Sequence, residues 1–388
     1  MSDTKLHAER RQLAPWLQIQ LESLLSQRGH AWLLSGPSGL GQFELAMALA
    51  RAWLCEAPSS QGACGHCGSC HAVDVQTHAD LRMLIPETLF LSLGWPLDQK
   101  TQDDLDSKKR KPSKEIKVDA AREVVSFSQL TRSRGHTKVV LVFPAERMNG
   151  ITANTLLKTL EEPPGEVKFI LATEAAQQLL PTIRSRCLSH TMRWPAFEES
   201  LAWLQSQSAI EDIADAHAGD EEGVKSPKSA KAGRAKPPPP KLEDLRVLLA
   251  AAGGRPADAL TWVQGGSPEE AARDWQALPK AMARGDVSAL TGWAPALVVD
   301  ALQKICHDVW AVKVGAQPRF FSLADLPLPV RPMASAESLA LGSPSSIFAL
   351  AAWSKELAAT ARTVEHPYNP GLMLEALVSR AKQALNSR

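Results

Sequence analysis

"HAWLLSGPSGLGQFELAMALARAWLC", His30 to Cys55, decides how the first half of this chain is read. Its opening residues form an apolar run of strand length, a glycine-punctuated loop follows, and an alanine- and leucine-rich stretch then continues with helical period. Strand, glycine loop and helix are the setting of a phosphate loop, G-x-x-x-x-G-K-[ST]. There the glycine-bounded backbone amides cradle phosphates, the lysine reaches the β/γ-phosphates and the hydroxyl holds Mg²⁺. Gly36 and Gly41 keep that spacing, with Gly39 between them, but Gln42 stands in the lysine's place and Phe43 in the hydroxyl's. Gly36, Gly39, Gly41 and Gln42 are thus the candidate nucleotide-contacting residues of a loop that has lost its charge chemistry.

A working nucleotide site also needs carboxylates at the end of a second buried strand. The matching run is "KVVLVFPAERM", residues 138–148, where Phe143 and Pro144 occupy both acidic places and Glu146, two residues on, reads as a surface residue. Two segments far apart in sequence have lost matching parts of one apparatus, which indicates a degenerate nucleotide fold. Around them, "VDAAREVVSFSQL" (118–130) and "ANTLLKTLEEPP" (153–164) have helical period, the second stopped by Pro163 and Pro164, and "VKFILAT" (167–173) is another buried strand. Continuous apolar strands alternating with helices predict a doubly wound α/β domain with a parallel sheet covered on both faces, ending near Trp194.

Directly after the loop's helix comes "CEAPSSQGACGHCGSC", residues 55–70. Cys55, Cys64, Cys67 and Cys70 give C-x8-C-x2-C-x2-C, a spacing that suits tetrahedral Zn²⁺, with Gly65 and Gly68 letting the backbone turn around the sulfurs. Four thiolates close the coordination shell, so the predicted site is structural rather than catalytic. His66 and His71 are near enough to ligate but are not needed. Cys187 and Cys306 read as ordinary buried thiols.

With 388 residues, 43 Lys+Arg against 42 Asp+Glu and a net charge of +1, the chain suggests two or three domains. It is no overall electrostatic match for nucleic acid or an anionic membrane. No apolar run reaches the about 18 residues that span a bilayer, and "MSDTKLHAERRQL" lacks the apolar stretch of a signal peptide. A cytoplasmic location follows as the expectation, and a reducing compartment favours metal over disulfides at the four cysteines. The charged run 98–117, within an insertion of about 92–115, reads as a solvated loop rather than a patch for DNA. Residues 206–242 read as a disordered insertion rich in Pro, Lys, Ala and Ser. Helical patterns resume at Leu242 and run to the end.

The run "ANTLLKTLEEPPGEVKFILATEAAQQLLPTIRSRC", residues 153–187, resembles the clamp-loader branch of the AAA+ superfamily, in which L-L-K-x-L-E-E-P-P and S-R-C are specific motifs. "HADL" (78–81), "IKVDAAREV" (116–124) and "HPYNPGLMLEAL" (366–377) agree with it, as does the position of the cysteine module. Gln42, Phe43, Phe143 and Pro144 set the chain apart from the gamma/tau motor subunits and liken it to the member whose own nucleotide site is typically defective.

The resemblance implies a RecA-like α/β AAA+ domain over 1–194 with the zinc module at about 55–70, a small helical lid over 195–265, and an all-α collar over 266–388 that packs against other collars. It implies a stator in a five-subunit ring with gamma/tau motor subunits and a delta subunit, helping to load the sliding clamp onto primed DNA. Such a chain is no enzyme on its own, though part of a DNA polymerase holoenzyme, and no bound ATP is expected. Arg186 of the SRC motif is then an arginine finger for ATP on a neighbouring motor subunit, with Ser185 and Cys187 shaping its turn. Thr173 falls at the first sensor position. At the second, "GRPADAL" (254–260) puts Ala257 where the family has arginine, with Arg255 displaced. Two rivals predict other behaviour: an active ATPase would hydrolyse ATP alone, and a zinc-containing nucleic-acid binder would bind DNA with strong salt dependence.

Overall fold

The structure is a computed structural model and describes residues 13–95, 97, 99–107, 109–135, 137–217, 240–328, 344–364, 366 and 369–387. The chain divides into two compact units, Met1–Ala196 and Phe197–Arg388.

The first unit is built on five strands: β1 (Ala31–Ser35), β2 (Leu81–Leu84), β3 (Lys138–Val142), β4 (Val167–Thr173) and β5 (Leu188–Thr191). Their order is β2-β3-β4-β1-β5 and every pairing is parallel. The expected parallel sheet is therefore present. Strand β3 is buried along its whole length, as a strand covered on both faces must be. On one face, Leu33, Val140, Val142, Phe169 and Leu171 meet Val124 and Phe127 of a helix at Val118–Gln129 and Leu156 and Leu160 of one at Gly150–Glu161. The helix Gln42–Leu54 packs against β3 and β4.

Helices of this unit are α1 (Pro15–Leu25), α2 (Gln42–Leu54), α3 (Gly68–Asp74), α4 (Glu87–Ser92), α5 (Gln99–Asp106), α6 (Val118–Gln129), α7 (Gly150–Glu161) and the short α8 (Pro181–Arg184). Asn149 caps α7 by accepting from Thr152 N at 2.9 Å, and the helix ends just before Pro163, where the missing N–H forbids continuation. Strands β2 and β5 were not visible in the apolar pattern. β2 interrupts its buried residues with exposed Arg82, and β5, "LSHT", is a partly exposed strand at the sheet edge. The charged run expected as a loop contains α5, a polar helix with Gln102 Nε2 donating to Asp106 Oδ1 at 3.0 Å across one turn.

The second unit is all-helical among the described residues: α9 (Phe197–His217), α10 (Leu242–Ala251), α11 (Pro256–Gln264), α12 (Pro268–Arg284), α13 (Pro295–Lys313), α14 (Pro344–Thr363) and α15 (Pro370–Leu385). Helix α9 continues through 206–217, which the composition assigned to a disordered insertion; residues 218–239 of that insertion lie outside the described residues. One apolar cluster joins Leu201, Leu204, Leu245, Leu248 and Leu249 with Ala259, Val263 and Ala272. A second gathers Trp275, Leu302, Ile305, Leu350 and Trp353 with Val378 and Ala381. Trp262 packs against both. Asp308, with no exposed surface, accepts from the amides of Arg319, Phe320 and Phe321 at 2.9, 2.7 and 2.9 Å, and so pins the segment after α13. That places the Phe321 ring parallel to Trp275 at 4.7 Å.

Candidate functional site

The glycine loop joins β1 to α2. Gly39 (φ 80°) and Gly41 (φ 94°) take left-handed conformations that cost a side-chain-bearing residue energy. Space is short as well. A Cβ on Gly41 would come within 2.6 Å of Leu17 Cδ1, and one on Gly36 within 2.7 Å of Met192 Cβ. Helix α1 also holds the loop through Trp16 Nε1, which donates to Leu40 O at 3.1 Å.

Gln42 is 2% exposed. Its Nε2 donates to Gly36 O at 2.7 Å and Pro37 O at 2.6 Å, so both N–H donors of the amide are committed to carbonyls of the loop itself. The side chain at the lysine position braces the loop and carries no charge to offer a phosphate.

Phe43 and Phe143, at the hydroxyl and acid positions, lie with ring centroids 5.2 Å apart. Trp95, from the segment after α4, is 5.9 Å from Phe43, and Phe90 of α4 is 6.3 Å from Trp95. Four half-buried rings at contact spacing make one apolar cluster across the positions where a metal hydroxyl ligand and its carboxylate would stand. Sequence reading found Phe43 and Phe143 but not Phe90 or Trp95. Those two belong to a stretch separated by about 50 residues from each partner, and only folding brings them together.

Glu146 corrects the sequence reading. It is half-buried rather than a free surface residue, because the 3-10 turn Ala145–Arg147 after β3 carries it to the end of neighbouring β4. Thr173 Oγ1 donates to its Oε2 at 2.6 Å, and the amide of Glu174 donates to Oε1 at 3.1 Å. The ends of β3 and β4 are thereby tied to each other. Gly36, Phe143 and Thr173 all sit at or just beyond the carboxyl ends of adjacent strands, the edge where open α/β sheets bind ligands.

The four cysteines converge. One sulfur from each of Cys55, Cys64, Cys67 and Cys70 falls within 4.8 Å of all the others, and all six cysteines are free thiols. Zn–S bonds of about 2.3 Å place tetrahedral sulfurs about 3.8 Å apart. Cys55 Sγ and Cys67 Sγ are separated by 3.8 Å. The amides of Cys64 and Cys70 point at Cys55 Sγ (3.2 Å) and Cys67 Sγ (3.4 Å), the arrangement that stabilises thiolates. Burial opposes charge on Cys67, yet amides of Glu56 and Cys70 and the adjacent thiols bring it down to about 6, whereas burial pushes Cys70 up. The cluster could hold a metal such as zinc. Cys187 is half-buried, not fully buried as expected, while Cys306 is 2% exposed.

Arg186 lies in the turn between α8 and β5. Its Nε donates to Glu161 Oε1 at 2.5 Å, its Nη2 pairs with the same oxygen, and its Nη1 donates to Thr182 O at 2.8 Å and lies 3.4 Å from Ser185 Oγ. In the second unit Arg255 N-caps α11 and is tied down locally, with Nε donating to Ala252 O at 2.8 Å and pairing with Asp258 at 2.9 Å.

Residues 15–195 match the family described as DNA polymerase III, delta subunit. Over 192 residues the chain is 38% identical to the DNA polymerase III subunit delta' of Pseudomonas aeruginosa, covering 49% of this chain and 52% of that one. Over 198 residues it is 36% identical to the same subunit of Escherichia coli, covering 50% and 52%. It is also 32% identical over 164 residues to the Escherichia coli subunit tau, covering 42% of this chain and 22% of tau. The chain thus spans about half the length of the delta' proteins it matches. Residues 15–195 thus match that family model, and this half of the chain is similar to DNA polymerase III delta' subunits.

Proposed function

We propose that this chain is the stator subunit of a DNA polymerase III clamp loader. It helps ATP-driven loading of the sliding clamp onto primed DNA without turning over ATP itself. The observation that carries the reading is the aromatic cluster of Phe43, Phe143 and Trp95 beside a Gln42 committed to its own loop. A magnesium–triphosphate pair needs oxygen ligands and a cation at those positions, and rings and a neutral amide supply neither.

In this reading the first unit is a RecA-like AAA+ domain, 195–265 is a lid and 266–388 is a collar that joins gamma/tau motor subunits and delta in the ring. Arg186 serves ATP bound to a neighbouring motor subunit. Guanidinium is always charged and its planar fork matches phosphoryl oxygens, so it can stabilise the transition state from outside the subunit that holds the nucleotide. Cys55, Cys64, Cys67 and Cys70 hold a structural Zn²⁺, whose closed shell fixes the segment between α2 and α3.

The test is co-purification with candidate motor and delta subunits, followed by ATPase assays of the chain alone and in the complex. The reading expects assembly, no hydrolysis by the chain alone, and slower DNA-stimulated turnover in Arg186→Ala with assembly intact. A finger is worth about 10³-fold or more at the site it serves, so total turnover should fall by that site's whole share. Steady hydrolysis by the isolated chain would overturn the stator role.

A further inference from the structure

The Arg186 turn shows more than the position of a cation. A guanidinium has five N–H donors in a fixed fork. In this chain donors on Nε, Nη1 and Nη2 all face acceptors of the same polypeptide: Glu161 Oε1, Thr182 O and Ser185 Oγ. Glu161 is the last residue of α7, and α7 ends there because Pro163 and Pro164 follow. The carboxylate is therefore delivered to the arginine turn by a helix end, not by a wandering loop.

Carboxylate and phosphoryl oxygens are alternative partners for the same fork. Resting on the reading of Arg186 as a finger, we propose that Glu161 is a built-in competitor: it holds the guanidinium on its own subunit and yields it when a neighbouring subunit presents a nucleotide's phosphates. With Glu161 engaged, the turn offers a neutralised pair and few free donors. With Glu161 displaced, it offers a full positive charge. The finger is thereby coupled to the presence of the phosphates it serves, and the cost of displacement is subtracted from its benefit.

The pair is partly solvated, with side chains 30% and 43% exposed, so the competition is modest. Ion pairs of this kind correspond to an effect of about two- to fivefold, or about 0.4–1 kcal/mol at 1.4 kcal/mol per factor of ten.

Glu161→Gln preserves the shape of the acceptor and removes its charge. In the reconstituted complex it should raise kcat/KM for DNA-stimulated ATP hydrolysis about two- to fivefold while lowering the free chain's thermal stability only slightly, by no more than the loss of this one ion pair, and Glu161→Ala should do the same. In an Arg186→Ala background the same changes should do nothing. If Arg186→Ala alone leaves turnover unchanged, the finger reading itself fails. If Arg186→Ala slows turnover but neither Glu161 variant raises it, the competitor role fails and the finger stands. A second measurement needs only the free full-length chain. By NMR, the Arg186 Nε–H should exchange with solvent more slowly in the wild type than in Glu161→Gln, and equal exchange would also overturn the proposal.

Discussion

At the residue scale, the phosphate loop differs from a working one by more than a missing lysine. Gln42 lies under the loop and satisfies two of its carbonyls, and Phe43 belongs to a ring cluster that reaches Trp95 and Phe143. Restoring the cation alone should therefore fail. Gln42→Lys is expected to give no binding of a fluorescent ATP analogue, measured by anisotropy, because the oxygen ligands for Mg²⁺ are still absent. It should also destabilise the first unit by about 1–3 kcal/mol, read by urea unfolding, since two carbonyl partners are lost and an ammonium is placed in a buried site. Phe43→Ala should cost about 1–2 kcal/mol by the same measurement, less than the roughly 3–5 kcal/mol of a fully buried ring because Phe43 is half-buried.

At the scale of elements, α3 and the cysteine loop have little apolar surface of their own: only Ser69, Cys70 and Val73 of α3 are buried. The sulfur cluster ties them to α2, beside the Ser69 amide and hydroxyl that donate to Glu56 Oε1 at 3.0 Å and the Arg51–Asp74 pair at 2.8 Å. Cys67→Ser should remove stoichiometric zinc, seen by metal analysis, and lower the melting temperature of the first unit, and a chelator should do the same to the wild type. The insertion is anchored differently. Glu87, at the start of α4, accepts from Arg110 Nη1 and Nη2 at 2.5 and 3.0 Å, from Lys117 Nζ at 2.5 Å and from the Ser113 amide at 2.9 Å. Burial works against its charge, but these donors win and hold the carboxyl at about 2, below its ordinary 4.5. Its contribution is therefore complete above pH 4.5 and is lost as the pH falls toward 2. Thermal unfolding of wild type and Glu87→Ala should differ at pH 6, by an amount equivalent to roughly 2–3 kcal/mol, and converge near pH 2.

At the scale of the whole molecule, the two compact units have separate cores and should respond separately to damage. Asp308→Ala leaves three amides, that of buried Phe321 among them, without their carboxylate and should destabilise the second unit by about 2–4 kcal/mol, while the metal content of the first unit is unchanged. Circular dichroism during denaturation, read beside metal analysis, would show one transition moved and the other not.

The sequence by itself determined β1, β3 and β4, because strands buried on both faces must be written as unbroken apolar runs such as "KVVLV". It also determined the end of α7 at its prolines, the spacing of the four cysteines and the loss of the lysine and acids, since each of these is a local property of residue type. Tertiary structure alone decided the rest. β2 and β5 are strands because neighbours pair with them, and α5 is a helix that polar composition concealed. Trp95 meets Phe43, Glu146 meets Thr173 and Glu161 meets Arg186 across 52, 27 and 25 residues of chain, contacts that exist only once the sheet has set which loops share an edge. Residue type is fixed along the chain, but what occupies a site is fixed by which distant segments the folded backbone brings within contact distance.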